Sequence, residues 1–482
     1  MSMSFALGNA LSGLTAASRM AEVVSANVAN AQTDGYGRRV VELGAQSIGG
    51  RGAGVKIEGI LRVSDRLLLT DRRGAEANLA AGNRRLDTLE RLEAAWGIGT
   101  DGATLEARIA ALEKALTAAA GDPSSEIRLT HVVSRLTDVA TTLRTSSDAI
   151  GQERERADAA IATEVDKLNT ALAQVEALNA QIGKARTAGD DALGLVDQRQ
   201  RVIDRISAIV PVREVERNRG MVALFTTTGL TLVDERAVAF GFTQTTTIVP
   251  EMSFAGGALG GLTLNGDPVP GGGAVGRMTG GSLAATFALR DEVLPAEQAA
   301  LDAVARDLIE RFEDPAVDPT LVPGDAGLLT DAGGALDPAD TVGLAARLGV
   351  NAAVDPAAGG ALFRLRDGVN ATAAGPVGRT DQLDAWLDAL AGRRALAGGG
   401  AARSAAGHAA AATGALGAAR LEAEDEVGFA AARFNGLRER ELALGVDTDA
   451  EMQTLLLVEQ SYAANARVIE TVDFLIRRLM EI

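Results

Sequence analysis

Both ends of the chain carry the same pattern. At the N-terminus Leu7, Ala10, Leu14, Ala17, Ala21, Val24, Val28 and Ala31 recur in alternating steps of three and four, and every one is apolar. At the C-terminus Leu455, Val458, Tyr462, Asn465, Ile469, Val472, Ile476 and Leu479 keep the same spacing. This is the seam of a coiled coil. A narrow apolar stripe gains little alone in water, so each seam needs a partner. The economical solution pairs the two ends with each other and makes the intervening chain a series of insertions. An ordinary helical bundle holding both ends in one core fits the pattern equally well.

Between the ends the period changes several times. The first helix should stop at Gln32-Thr33-Asp34-Gly35, a turn signal, and Val40 to Ile60 reads as short Gly-rich strands or an extended loop. Helix then dominates from Ser64 to about Val210. Ser64 is placed to cap it, with Asp65 in the first turn, and Leu79, Leu86, Leu89 and Trp96 share one face. Gly97 to Gly102 and Gly121-Asp122-Pro123 interrupt it, on either side of a helix from Leu105 to Ala120. The longest segment runs from about Ser125 to Ala188, and Ser146 to Gly151 is the place where it could divide. Its clearest seam is Ile161, Val165, Leu168, Leu172, Val175, Asn179 and Ile182, where polar Asn179 can fix register.

After Pro211 β-branched alternation and turn residues predict antiparallel strands over 212–242, with strand-like texture to about Leu289. Helix returns at Arg290–Phe312. The stretch 313–400 is mixed, with a helix near Gln382–Ala391 carrying Trp386. An Ala/Gly tract runs from Gly398 to about Ala419, where glycine weakens helix, and firmer helix follows over 422–444. Asp447 or Thr448 should cap the last helix, reinforced by Glu451.

The fold class that follows is mainly α with inserted β structure, in an elongated multidomain chain. Its N- and C-terminal helices pair as a coiled coil, and a helical bundle is assembled discontinuously. The expected units are 1–60 with 447–482 (terminal coiled coil), 61–210 with 290–312 and 404–446 (long-helix bundle), 211–289 (β-rich) and 313–403 (small, mixed). The 482 residues allow about three domains at ~100–200 residues each.

Composition removes many function classes. Cysteine is absent, which excludes disulfides, thiolate zinc sites, iron–sulfur clusters and thiol nucleophiles. His131 and His408 are the two histidines, too few for the usual zinc catalytic set. A net charge of −17 disfavours nucleic acid and anionic membrane surfaces as partners. No apolar run approaches the ~20 residues of a membrane span, and Met1–Met20 lacks the basic start and apolar run of a secretory signal. Gly97-x-Gly99-x-x-Gly102 matches a dinucleotide-loop pattern but follows helix where the motif needs a strand. Gly271-x-Gly273-x-x-Gly276 opens no clear helix. The run Glu422, Glu424, Asp425, Glu426 reads as a solvated helix face. No catalytic constellation, cofactor loop or metal-ligand set stands out.

Particular residues at both ends point further. Leu11-Ser12-Gly13-Leu14-Thr15-Ala16 precedes Ser25-Ala26-Asn27-Val28-Ala29-Asn30-Ala31-Gln32-Thr33-Asp34-Gly35-Tyr36-Gly37-Arg38, and together they resemble the N-terminal signature of the bacterial flagellar axial proteins. Ser461-Tyr462-Ala463-Ala464-Asn465-Ala466-Arg467-Val468-Ile469 with Thr471, Val472 and Asp473 resembles their C-terminal signature. The interior looks like the hook-associated members. The resemblance there rests on Leu178-Asn179-x-Gln181-Ile182, Leu195-Val196-Asp197-Gln198-Arg199 with Ile203, Gly281-Ser282-Leu283, Arg290-Asp291 and Gly445-Val446-Asp447. Residues 313–400 match no part of that pattern.

The resemblance implies a structural protein rather than an enzyme, exported without a cleaved signal through the flagellar type III apparatus and placed outside the cell at the hook–filament junction. It implies as partners further copies of the chain in a ring or helical layer, the hook protein, the next hook-associated junction protein, and an export chaperone on the C-terminal helix. No cofactor or metal is expected. Assembly contacts would fall on Leu7, Leu11, Leu14, Val24, Val28, Leu455, Val458, Tyr462, Ile469, Val472, Ile476 and Leu479. Asn27, Asn30, Thr33, Asp34, Gly35, Tyr36, Asn465 and Asp473 carry the family motif. Those around the first turn serve assembly or merely end the helix, where Asn and Asp satisfy end groups and Gly35 supplies positive φ. A rod or hook member of the same family is the nearest alternative, and a surface adhesin or a carboxylate-based hydrolase lies further off.

Overall fold

The computed structural model describes residues 3–48, 51–99 and 102–480. Helix α1 (Met3–Ala29) is followed by an antiparallel hairpin of β1 (Arg39–Ile48) and β2 (Arg51–Arg62), with Val40 opposite Leu61. Then come α2 (Arg66–Ala95), α3 (Leu105–Gly121), α4 (Glu126–Thr187) and α5 (Leu193–Ile209). Strands β3 (Val212–Glu216), β4 (Val222–Thr226) and β5 (Thr231–Val233) form one antiparallel sheet, and β6 (Phe240–Gly241), β7 (Thr263–Leu264) and β8 (Asp267–Pro268) a second. Helix α6 (Gly281–Ala288) runs through a π turn, Leu289–Val293, into α7 (Leu294–Phe312). The next stretch holds the strand pair β9 (Leu329–Asp331) and β10 (Leu348–Val350), the helices α8 (Leu344–Arg347), α9 (Phe363–Asp367) and α10 (Asp381–Ala391), and the pair β11 (Arg394–Leu396) and β12 (Gly399–Arg403). Two long helices, α11 (Ala405–Ala443) and α12 (Thr448–Met480), complete the chain. Among the described residues no helix is long and apolar enough to cross a membrane.

Helix α4 is the spine. Its 62 residues span about 93 Å at 1.5 Å each. Ser125 caps it by accepting from the Arg128 N–H, Glu126 sits at its positive end, and Lys184 and Arg186 sit at its negative end. It is unbroken through Ser146–Gly151. There Ser146 and Ser147 are buried, and Ser147 Oγ donates to Gln298 Oε1 on α7 at 2.8 Å, so the small polar residues serve a helix contact.

Two apolar cores lie along this spine. The first gathers Leu129–Ile150 of α4 with α2, α3, α7, the first half of α11 and the stretch 313–390. Trp386 is fully buried there, edge-on to Phe312 at 5.5 Å, with its Nε1 donating to the Leu365 carbonyl. The second gathers Ile161–Val175 with α5, the β3–β4–β5 sheet and α6. All of Ile161, Val165, Leu168, Leu172, Val175, Asn179 and Ile182 are buried. Asn179 holds register, but to a strand: it donates to the Val222 carbonyl at 2.8 Å and accepts from the Val222 N–H at 3.1 Å.

Several local predictions need correction. Asp65, not Ser64, caps α2, accepting from the N–H groups of Leu67 and Leu68. Helix returns at Gly281, earlier than Arg290. Little of 242–280 is strand. Polar side chains of α4 pin it instead: Asp158 accepts from the Thr245 N–H, Glu155 accepts from the Ile248 N–H, and Arg154 donates to the carbonyls of Val249 and Met252. The Ala/Gly tract is helical from Ala405. Its small residues pack closely, with Ala405, Ala409 and Leu416 fully buried and His408 bonded to the Arg394 carbonyl. His131 is exposed.

Candidate assembly surface at the paired ends

Helices α1 and α12 pack against each other in antiparallel fashion. Gly13 lies so close to Asn465 that a Cβ on it would come within 2.7 Å of the amide. At the other end Arg38 Nε donates to Glu451 Oε1 at 2.8 Å, in the first turn of α12. Asp447 caps that helix, accepting from Asp449 and Ala450 N–H groups. Glu451 therefore does not reinforce the cap. It is buried and turned to Arg38.

The pairing buries only part of each seam. Ala10, Ala17 and Val24 of α1 and Val458 and Val472 of α12 are buried. Leu14, Val28, Leu455, Asn465 and Ile469 are half-buried. Leu7, Leu11, Tyr462, Ile476 and Leu479 remain exposed, Leu11 at 59% and Leu479 at 58%. Phe5, Met452, Leu456, Leu457, Val468, Phe474, Leu475 and Met480 are exposed as well, and the seam pattern did not single them out. Concentrations of exposed apolar side chains mark surfaces that meet another molecule.

The motif after α1 turns inward. Asn27 is fully buried, donates to the Arg39 carbonyl at 2.8 Å, and accepts from the Arg39 N–H and the Tyr36 hydroxyl. Asn30 donates to the Ala26 carbonyl and accepts from the Thr33 hydroxyl. Gly35 has φ +74°, a left-handed conformation that a side chain would strain, and Arg201 packs over it. Burial pushes the Tyr36 hydroxyl above its ordinary pKa, against the pull of Arg39, whose guanidinium sits 4.8 Å over the ring. Asp34 is exposed, and Asp473 is exposed and paired with Arg477.

A second centre, on Asp197 of α5, was not foreseen. Asp197 accepts from Arg62 Nε at 2.7 Å, from Arg39 Nη2 at 3.2 Å and from the Gly37 N–H at 3.2 Å. These contacts moor the hairpin to the body. Asp197 stood in a recognisable stretch, but its partners lie more than 130 residues away and no local pattern pairs them. A cradle of this kind positions chain segments. It holds no nucleophile, and among the described residues no His/Asp/Glu group could ligate a metal.

Residues 89–316 match the family model described as the flagellar hook-associated protein FlgK helical domain, and residues 7–36 match that of the flagella basal body rod protein. Flagellar hook-associated protein 1 of Bacillus subtilis is 27% identical over 222 residues, 43% of each chain. Its namesakes in Escherichia coli and Salmonella typhimurium are 24% and 27% identical, over 48% of this chain and 43% of theirs. The chain thus spans under half the length of the curated relatives it matches. A solved structure, the flagellar hook junction protein FlgK from Burkholderia pseudomallei, aligns over 54% of this chain and 46% of that one, with 20% identity and a TM-score of 0.43.

Proposed function

We propose that this chain belongs to the flagellar hook-associated family and is a structural subunit of the bacterial flagellum that joins the hook to the filament. One observation supports this reading above others: the hook-associated helical domain over 89–316 sits between two chain ends that pair with each other and still expose apolar side chains. Its work is assembly rather than catalysis, and it needs no cofactor.

The mechanism is coupled ordering and assembly. The seam residues Leu7, Leu11, Leu14, Val24 and Val28 with Leu455, Val458, Tyr462, Ile469, Val472, Ile476 and Leu479 form the contact surface. Fully burying a Leu or Ile contributes roughly 1.5–3 kcal/mol. Ordering costs about 1–2 kcal/mol per backbone residue. A single antiparallel pair leaves much of its stripe wet, so neighbouring copies must cover the rest before the balance turns clearly favourable. That confines growth to an existing tip. In this reading the motif residues Asn27, Asn30, Thr33, Asp34, Gly35 and Tyr36 shape the base of the contact surface, and Asn465 and Asp473 lie along it.

The partners are further copies in a ring or helical layer, the hook protein, the next hook-associated junction protein, the type III export apparatus, and an export chaperone on α12. The site of action is outside the cell. Deleting the gene in its source bacterium tests the role, with electron microscopy of the cell surface and an assay for secreted flagellin. Bare hooks with flagellin shed into the medium are expected. Loss of the hook would move the chain to the rod or hook, the alternative that the match over 7–36 favours. Intact motile filaments would overturn the reading.

A further inference from the structure

Among the described residues seven arginines are buried to nine-tenths or more: Arg72, Arg73, Arg154, Arg199, Arg290, Arg311 and Arg366. Five of them face a carboxylate. Arg154 has none but is filled by four backbone carbonyls. Arg199 differs from all of these. It is 4% exposed, and its two hydrogen bonds, to Asn179 Oδ1 at 2.9 Å and the Gly220 carbonyl at 2.7 Å, both leave from Nη1. Its Nε, like that of Arg366, is buried without an acceptor, but Arg366 keeps Asp367 and Arg199 has no carboxylate at all. A buried guanidinium with unmet donors is costly, and a carboxylate is the group that its planar fork fits best.

The surroundings add positive charge. A Cβ on Gly220 would lie 2.4 Å from Cζ of Arg186, so the Arg186 guanidinium packs on the same glycine that Arg199 binds. Arg219 sits in the same turn at φ +59°. Arg186, Arg219 and Lys184 are exposed and make no ion pair among the described residues. Burial pushes the Arg199 pKa below its ordinary value; Glu214 and Glu216 offset this from a distance, while Arg186 and Arg62 add to it. This positive cluster lies in a chain with 64 acidic and 47 basic residues. It also stands two residues along α5 from Asp197, which moors the hairpin that packs along α1.

We propose that Arg199, Arg186 and Arg219 form a carboxylate-binding site that takes an acidic side chain from a second copy of this chain. The proposal rests on the assembly role above and deepens it. It adds a charged contact between copies, where α4, α5 and the Gly220 turn meet, to the apolar contact of the seams. An acidic chain supplies the complementary group on every copy.

The test uses the full chain. Purified hooks are capped in vitro from an equal mixture of 15N-labelled and unlabelled protein, then treated with a zero-length carbodiimide, which joins amines to carboxylates in contact. Lys184 is a native reporter, and Arg186→Lys adds a second. Mixed-isotope links from residue 184 or 186 to an Asp or Glu are expected. The pair of exposed changes Arg186→Gln and Arg219→Gln should leave the melting temperature unchanged. They should raise the concentration for half-maximal capping about fivefold, the scale of one exposed ion pair. Capped hooks that give only same-isotope links, or variants that cap at the wild-type concentration, overturn the proposal. So does stabilisation by millimolar sulfate, lost in Arg186→Gln, with no mixed-isotope link, because the site would then take free anions. Failure of the wild-type chain to add to hooks at all overturns the functional reading instead, and this proposal with it.

Discussion

Arg290 and Asp158 form an ion pair with 2.6 Å between Nη1 and Oδ1, and neither side chain reaches solvent. Nε and Nη2 of Arg290 donate to Asp291, and Nη2 also to the Gly260 carbonyl, and its guanidinium lies against the rings of Phe242 and Phe287. The π turn Leu289–Val293 admits one more residue per turn than an α-helix. That turn points Arg290 at α4 in the polar gap between the two apolar cores.

Removing Arg290 leaves the buried Asp158 carboxylate without its cation. Arg290→Met should destabilise the chain by about 3–5 kcal/mol, and Asp158→Asn by less, because the amide still accepts. Denaturant unfolding followed by circular dichroism checks both. A loss under 1 kcal/mol for Arg290→Met would mean that water reaches the pair.

Glu313 sets a pH dependence. Burial pushes its carboxyl up to about 7 from 4.5, against the Leu336 N–H that donates to it, with Glu310 and Asp331 adding to the rise. The folded chain holds a proton there that the unfolded chain releases. Stability is therefore highest below the unfolded pKa and is lost as pH rises through about 7. Melting scans from acid to mildly alkaline pH should show a fall in the wild type that is shallower in Glu313→Gln. Parallel curves would place the titration elsewhere.

Asp197→Asn should free the hairpin without melting the body. The expected sign is faster tryptic cleavage at Arg38, Arg39 and Arg62, with the main unfolding transition unmoved. A fall in that transition together with cleavage would make Asp197 part of the core's own support.

Ile469→Asp places a charge on the half-buried seam of α12. The soluble chain should keep its helical signal and its body stability, while hook capping is lost. Unfolding of the whole chain would assign Ile469 to an ordinary core.

What could be read in advance depended on how local its physical cause is. The terminal seams, the α4 seam with Asn179, and the helix around Trp386 announce themselves by spacing alone. Ser146–Gly151 and the Ala/Gly tract misled because small residues weaken an isolated helix yet permit close packing in a folded one, as Ser147 and Ala409 do. Glu451 satisfied a capping pattern but found a stronger partner in Arg38 across most of the chain. Asp197 with Arg62, and Arg290 with Asp158, join residues whose proximity only the finished fold creates.

A single helix running through both cores also governs how the molecule comes apart. Leu136 and Leu168 belong to different apolar clusters but to the same unbroken α4. Neither cluster can shed that helix without stripping a wall from the other. The two halves of the body are thereby wired as one cooperative unit, and heat should take them in a single calorimetric transition.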